Sequence, residues 1–150
     1  MKPVILLDLN YTLVANSHMK RAQFTEQIKL ERYRKDLIEL VRQFEVILIT
    51  ARPEKYKAIT LGNIEQQTGW RPAKAFFNDT NLAPHIFKKK TFVEEIEWRY
   101  GNESFIAIES NPKTIKEYHL LGIMCLSIIP EVPYIQKQKR KNNEDDSANR

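Results

Sequence analysis

Short aliphatic runs, each ending on polar residues, alternate along this chain with segments of helical length, and that alternation narrows its fold more than any other feature. Residues 4–9, 44–49, 105–108 and 123–129 are apolar runs of strand length, with 75–77 a weaker one between them. Unbroken apolar runs are what strands covered on both faces require. The intervening segments space their apolar residues as helices do. Phe24, Ile28, Leu37, Leu40 and Val41 predict a helix over 20–43, open to a break in its charged middle at 31–36. Tyr56, Ile59 and Ile64 predict another over 53–68, and Phe92, Ile96 and Tyr100 mark one ending at Gly101, with Pro84 as a turn or a lead-in. Pro112 opens a helix over 113–121, its fixed φ suiting a first turn. Strands alternating with helices make an α/β fold with a mostly parallel sheet.

In such sheets ligands bind beyond the carboxyl ends of the strands, where the strand order reverses. Three exits carry convergent polar groups: Asp8-Leu9-Asn10-Tyr11-Thr12, Thr50-Ala51-Arg52 and Glu109-Ser110-Asn111. A carboxylate at the end of an aliphatic strand is costly to bury unless paired or metal-bound. Asp8 can attack a phosphoryl or alkyl centre covalently, or bind Mg2+, with Glu109 a natural partner on the same ion. Thr12 and Thr50 offer hydroxyls, Arg52 can fork onto phosphate oxygens, and a lysine from Lys88, Lys89 or Lys90 can neutralise the charge.

Plainer roles compete with these. A strand-end Asp often caps a turn, as Asp79 and Asn81 are expected to, and a lysine run is often a solvated face. Trp70 and Trp98 read as packing residues and Cys125 as an inert small hydrophobe. His18, His85 and His119 lack metal-ligand spacing. Gly62, Gly69, Gly101 and Gly122 form no glycine-rich phosphate loop, which excludes P-loop and dinucleotide-binding readings.

At 150 residues the chain makes one domain, expected over 1–135. Its single cysteine excludes a disulfide-stapled secreted fold. No apolar run is long enough for a membrane span, and the one at 4–7 is too short for a signal peptide. The cytoplasm, or that of a host cell, is the expected location. The net charge of +5 falls to +3 once the five basic and three acidic residues of 136–150 are set aside. That field permits an anionic substrate without demanding nucleic acid. The segment 136–150 is expected to be a disordered charged tail. The oligomeric state is not legible.

The three exits and the lysine run, taken in order, resemble the four motifs of the haloacid-dehalogenase-like phosphohydrolases. Asp8-Leu9-Asn10-Tyr11-Thr12-Leu13 is similar to that superfamily's Asp-x-Asp-Gly-Thr-Leu, Thr50 to its second motif, Lys90 to its third-motif lysine and Glu109 to the first acid of its fourth. Within it, Thr50-Ala51-Arg52-Pro53, the stretch from Val93 to Trp98 and that from Ile106 to Pro112 resemble the 3'-phosphatase domain of phage-type polynucleotide kinase-phosphatases. The resemblance implies a three-layer, doubly wound, mostly parallel sheet of five strands without a large cap. It implies Mg2+ held by Asp8, the Asn10 carbonyl and Glu109. Asp8, Asn10, Thr50 and Lys90 would be catalytic, with Arg52, Thr12 and Lys89 binding substrate. The implied ligand is a nucleotide or polynucleotide-end phosphate.

Four positions depart from the pattern. Asn10 replaces the family's general acid–base Asp, and an amide cannot donate and retrieve a proton at neutral pH. Tyr11 replaces a glycine, Ser110 an Asp, and Val93 stands where the closer relatives carry their lysine. Two functions follow: a Mg2+-dependent phosphohydrolase with an aspartyl nucleophile, or a catalytically degenerate module that binds a phosphorylated ligand, nucleic acid or protein partner. A structural protein on a borrowed fold is a third.

Overall fold

The computed structural model describes residues 2–129; the segment expected to be a charged tail lies outside them. Five parallel strands, β1 (Val4–Leu7), β2 (Val46–Pro53), β3 (Lys74–Asn78), β4 (Phe105–Glu109) and β5 (Met124–Ser127), form one sheet in the order β3-β2-β1-β4-β5. The chain winds outward from β1 through β2 to β3, then returns to β1's other side for β4 and β5. The reversal therefore falls between β1 and β4, and the crevice beyond their carboxyl ends is where such a sheet receives a ligand.

Strand pleating sends successive side chains to opposite faces, and each face has its own helical layer. Ile5, Leu7, Val46 and Leu48 pack with Ile38, Val41, Leu61 and Ile64 from α2 (Lys35–Val41) and α3 (Lys57–Thr68) on one side, where α1 (Phe24–Lys29) lies against α3. Val4, Leu6, Ile47 and Ile49 pack with Phe87, Phe92, Ile96 and Tyr118 on the other. That second layer comprises α4 (Pro84–Thr91), a wide turn over Phe92–Ile96, α5 (Glu97–Tyr100) and α6 (Pro112–Leu120). Both faces of β1 are covered, which is why its sequence is aliphatic without alternation. This is the three-layer, mostly parallel α/β core of haloacid-dehalogenase-like folds. Only α1 and α2 lie between β1 and β2, so no large cap covers the sheet's edge.

Boundaries differ from the sequence expectation where tertiary pairing intervenes. The segment over 20–43 is two helices because Tyr33 bridges Val14 antiparallel, while Ala15 N–H donates to Arg32 O and Arg34 N–H to Leu13 O. Those bonds take the backbone out of helical geometry. β2 runs on to Pro53 by shifting register against β3 after Ile49. Pro84 is the first residue of a helical stretch that continues to Tyr100. Gly69 adopts φ 68° at the end of α3, a left-handed stop that a side chain would resist. Trp70 is buried as expected, but Trp98 is 66% exposed and packs no core. Asn78, rather than Asp79 or Asn81, organises the turn after β3, its side chain accepting from Thr80 N–H and hydroxyl.

Candidate active site

Register places the first two carboxylates. Leu7 pairs with Ile108 across β1 and β4, and Asp8 N–H donates to Ile108 O at 3.0 Å, so Asp8 and Glu109 leave the sheet side by side. Both are buried, at 7% and 1% exposure. Lys88 of α4 lies between them, its Nζ 2.6 Å from Asp8 Oδ1 and 2.7 Å from Glu109 Oε2. Thr12 donates its hydroxyl to Asp8 Oδ2 at 2.6 Å. The Ser110 hydroxyl lies 3.2 Å from Asp8 Oδ2 and 3.3 Å from the main-chain oxygen of Asn10. Glu109 Oε1 accepts the N–H groups of Ser110 and Asn111, each at 3.1 Å.

Of the three consecutive lysines, helical geometry lets one face inward. The buried positions Phe92 and Ile96, extended back four residues at a time, fall on Lys88, which is 3% exposed. Lys89, expected to bind substrate, lies on the outer face and pairs with Glu117 at 3.3 Å. Lys90, expected to be catalytic, is exposed and lines a separate cleft of about 450 Å³ with Glu54, Lys57, Phe76 and Asp79. The apolar stripe was present in the sequence and pointed to Lys88.

Burial works to raise the Asp8 carboxyl, but the Lys88 ammonium and the hydrogen bonds it receives outweigh this, so it is held below the ordinary carboxylate range. Burial likewise works to discharge Lys88, and the two carboxylates overcome it and keep it cationic. Glu109 goes the other way. Burial first, and then the Asp8 charge, push it up to about 7 against the pull of Lys88. One ammonium cannot fully serve two buried carboxylates, and Glu109 is the one left short.

Arg52 belongs to a second buried cluster. Its side chain is wholly enclosed, with Nη1 2.9 Å and Nη2 2.6 Å from the two oxygens of Glu31. Nη1 also reaches Thr60 Oγ1 at 3.0 Å, Nη2 reaches Asn10 Oδ1 at 2.8 Å, and the guanidinium lies over the Phe24 ring. Of the three guanidinium nitrogens only Nε lacks a partner among the described residues. Arg52 thus points at protein groups, not at an open anion site, and Thr50 accepts a hydrogen bond from Arg52 N–H at 3.1 Å beside it. Glu31 lies in a charged run that gave no sign of burial in the sequence.

The loop from Leu9 to Leu13 carries a strained residue. Asn10 and Tyr11 have φ/ψ of −66°/134° and 61°/0°, the middle pair of a type II turn, whose second member favours glycine. Tyr11 N–H donates to Ser17 Oγ at 2.8 Å, and Lys20 lies over the Tyr11 ring.

The fold family implies Mg2+, and the donors here suit it in part. Asp8 Oδ2, the Asn10 carbonyl and Ser110 Oγ are hard oxygens brought together from two neighbouring strand exits, and Mg2+ takes such a set with one carboxylate and several retained waters. Glu109, expected as a ligand, turns both oxygens to Lys88 and main-chain N–H groups instead. Among the described residues no group of three or more His, Cys, Asp or Glu side chains is placed to hold a metal.

No family model matches the chain, and no curated protein matches it by sequence. Solved structures match by fold. A chain of the Pnkp1/Rnl/Hen1 RNA repair complex superposes with a TM-score of 0.69 at 17% identity, over 85% of this chain and 42% of that one. A chain in a second structure of the Pnkp1/Rnl/Hen1 complex gives 0.65 at 18%, over 85% and 46%. The present chain spans less than half of either. Among the described residues no helix is long and apolar enough to cross a membrane. What the likeness shows is the fold, an α/β core on a parallel five-stranded sheet.

Proposed function

We propose that the chain is a Mg2+-dependent phosphohydrolase that acts on a nucleotide or polynucleotide-end phosphate through Asp8. The observation that carries this reading is the Asp8 carboxylate: buried at a strand exit, kept ionised by Lys88, and oriented by Thr12 and Ser110. A carboxylate so held is a nucleophile with fixed aim. Lys88, in the role expected of Lys90, offsets charge on the incoming phosphoryl group, and Thr50 stands ready with a hydroxyl. Asp8, the Asn10 carbonyl and Ser110 would hold Mg2+, which supplies Lewis-acid stabilisation of phosphoryl charge when bound. The nucleic-acid class rests on the motif resemblance and on the fold likeness to a chain of an RNA repair complex. The uncapped strand ends leave room for a polymer end, and that complex's three components make a protein partner a reasonable companion.

One observation favours a second reading. The Asn10 amide is tied to Arg52, and Arg52 is closed against Glu31, so neither is free to serve a bound phosphate as in an active relative. On that reading the chain binds a phosphorylated ligand, nucleic acid or protein partner without turnover. Phosphate release from a 3'-phosphorylated oligonucleotide, nucleoside phosphates and an aryl phosphate, with Mg2+ and with chelator, separates the two. Mg2+-dependent release abolished by Asp8→Asn supports the hydrolase, while equal background from both proteins supports the binding module.

A further inference from the structure

The sheet is covered unevenly at its β5 edge. On one face α6 packs against β4 and β5, where Cys125 lies in register with Ala107. On the opposite face Met124 is in register with Ile106 and Leu126 with Ile108, and strand residues in register share a face. Ile106 and Ile108 belong to the core beneath α2 and α3, yet beside them Met124 is 57% exposed and Leu126 48%. The flank of α2 borders this strip with Leu40, itself 57% exposed. Leu37, Leu40 and Ile128 line a cleft of about 280 Å³ there, together with Arg34 and Asp36. Among the described residues no helix lies over Met124 and Leu126, so an apolar groove between α2 and β5 stays open. A contiguous apolar strip of this kind marks a surface that something covers.

The chain carries a suitable cover next to the groove. Ile128 N–H donates to Glu109 O, so the described residues end beside the cleft. Directly after Ile129 come Pro130-Glu131-Val132-Pro133-Tyr134-Ile135, which lie outside the described residues. They bring three bulky apolar side chains, whereas from Gln136 to Arg150 the only apolar residue is Ala148. A proline at 130 favours a turn, and the two prolines remove N–H groups that a sixth strand would need, so the segment is suited to pack through its side chains. Six extended residues reach ~20 Å, against ~13 Å for the four of β5. Tethered at Ile129, the segment meets the groove at an effective concentration on the order of mM, which favours it over a second copy of the chain.

We propose that residues 130–135 turn back at Pro130 and lie in the groove between α2 and β5, with Val132 and Tyr134 resting on Leu126, Met124 and Leu40. Two residues apart, those side chains share one side of an extended segment. The folded domain then runs to 135, and the charged stretch with Lys137, Lys139, Arg140 and Lys141 begins where the groove ends. This placement is independent of the chemistry at Asp8.

Nuclear Overhauser spectra of the full chain with 13C-labelled methionine methyls test it, because the chain has only 3 methionines and Met124→Leu assigns the one in β5. The expected result is a contact between the Met124 methyl and the Tyr134 ring within one molecule, lost in Tyr134→Leu. A contact found only between differently labelled chains in a mixed sample assigns the groove to a second copy and overturns the proposal. A Met124 methyl with no contact to Tyr134 overturns it as well. In urea unfolding, Tyr134→Ser is expected to lower the midpoint by ~0.5 M, and by much less in a Leu126→Ser background that has already lost the contact. Equal shifts in both backgrounds, or none in either, contradict the docking. The methyl contact is read on the unaltered chain, so it decides even if a variant fails to fold.

Discussion

The Asp8–Lys88–Glu109 cluster sets two carboxylates on one ammonium, whereas Arg52 and Glu31, on the other side of the first loop, match one to one with both guanidinium nitrogens on both oxygens. Both are enclosed, and both involve a strand exit. The matched pair is nearly satisfied, with Thr60 and Asn10 taking the remaining Nη donors and Nε left without a partner. In the unmatched cluster Glu109 is left with a raised pKa, while Asp8 Oδ2 faces the hydroxyls of Thr12 and Ser110, the second of which also reaches the Asn10 carbonyl. Burial alone therefore does not mark a reactive carboxylate. On the proposed reading, imbalance of charge together with oxygens converging from another strand exit does.

Breaking each cluster sharpens that contrast. Removing one partner of a buried ion pair typically costs ~3–5 kcal/mol because the other charge is stranded. Arg52→Ala is expected to lose about that much in urea unfolding, since among the described residues Glu31 pairs with no other cation. The double change Arg52→Met with Glu31→Leu should recover most of it, and a double mutant no more stable than Arg52→Ala would contradict a closed structural pair. Lys88→Met should be comparably destabilising at pH 8 but much less so near pH 5, because its stranded carboxylates can take up protons. A pH-independent loss would mean that Lys88 serves packing more than charge.

A smaller effect tests Glu109 itself. Its pKa is raised in the folded state to about 7 from 4.5, so the folded protein binds more protons between those values. The stabilisation this brings is complete below the unfolded value and is lost as pH rises through 7. The melting temperature of the unaltered protein should therefore fall relative to Glu109→Gln between about pH 4.5 and 7 and run level with it above that. Asp8, whose pKa is lowered, acts in the opposite sense and in a more acidic window, so it leaves this interval undisturbed. Parallel curves for the two proteins would place the imbalance elsewhere.

The smallest expected change is at the loop joining the clusters. Tyr11 holds φ 61°, where a side chain costs ~1–2 kcal/mol. Tyr11→Gly should relieve part of this, offset by lost chain entropy and the Lys20 contact, for a net gain under ~1 kcal/mol in thermal unfolding. A net loss would show that the ring contributes packing the turn depends on.

The layering was legible because it depends on local periodicity. Unbroken aliphatic runs require two covered faces, and the stripe of Phe92 and Ile96 requires an inward helix face. The exits were legible for a related reason, since a carboxylate such as Asp8 after Val4–Leu7 has no place in a simple core. The break at Tyr33 was visible only as a charged stretch, because its cause is a bridge to Val14, far away in sequence.

Composition and spacing by themselves determined an α/β sheet and the polar residues at its strand ends, because burial and secondary-structure period are properties of neighbouring residues. Which lysine reaches Asp8, that Arg52 is taken by Glu31, and that Glu109 turns to Lys88 and the backbone were decided by the tertiary structure alone. Those outcomes depend on distances between side chains up to 80 positions apart, and electrostatic pairing is set by distance in space, not by order along the chain.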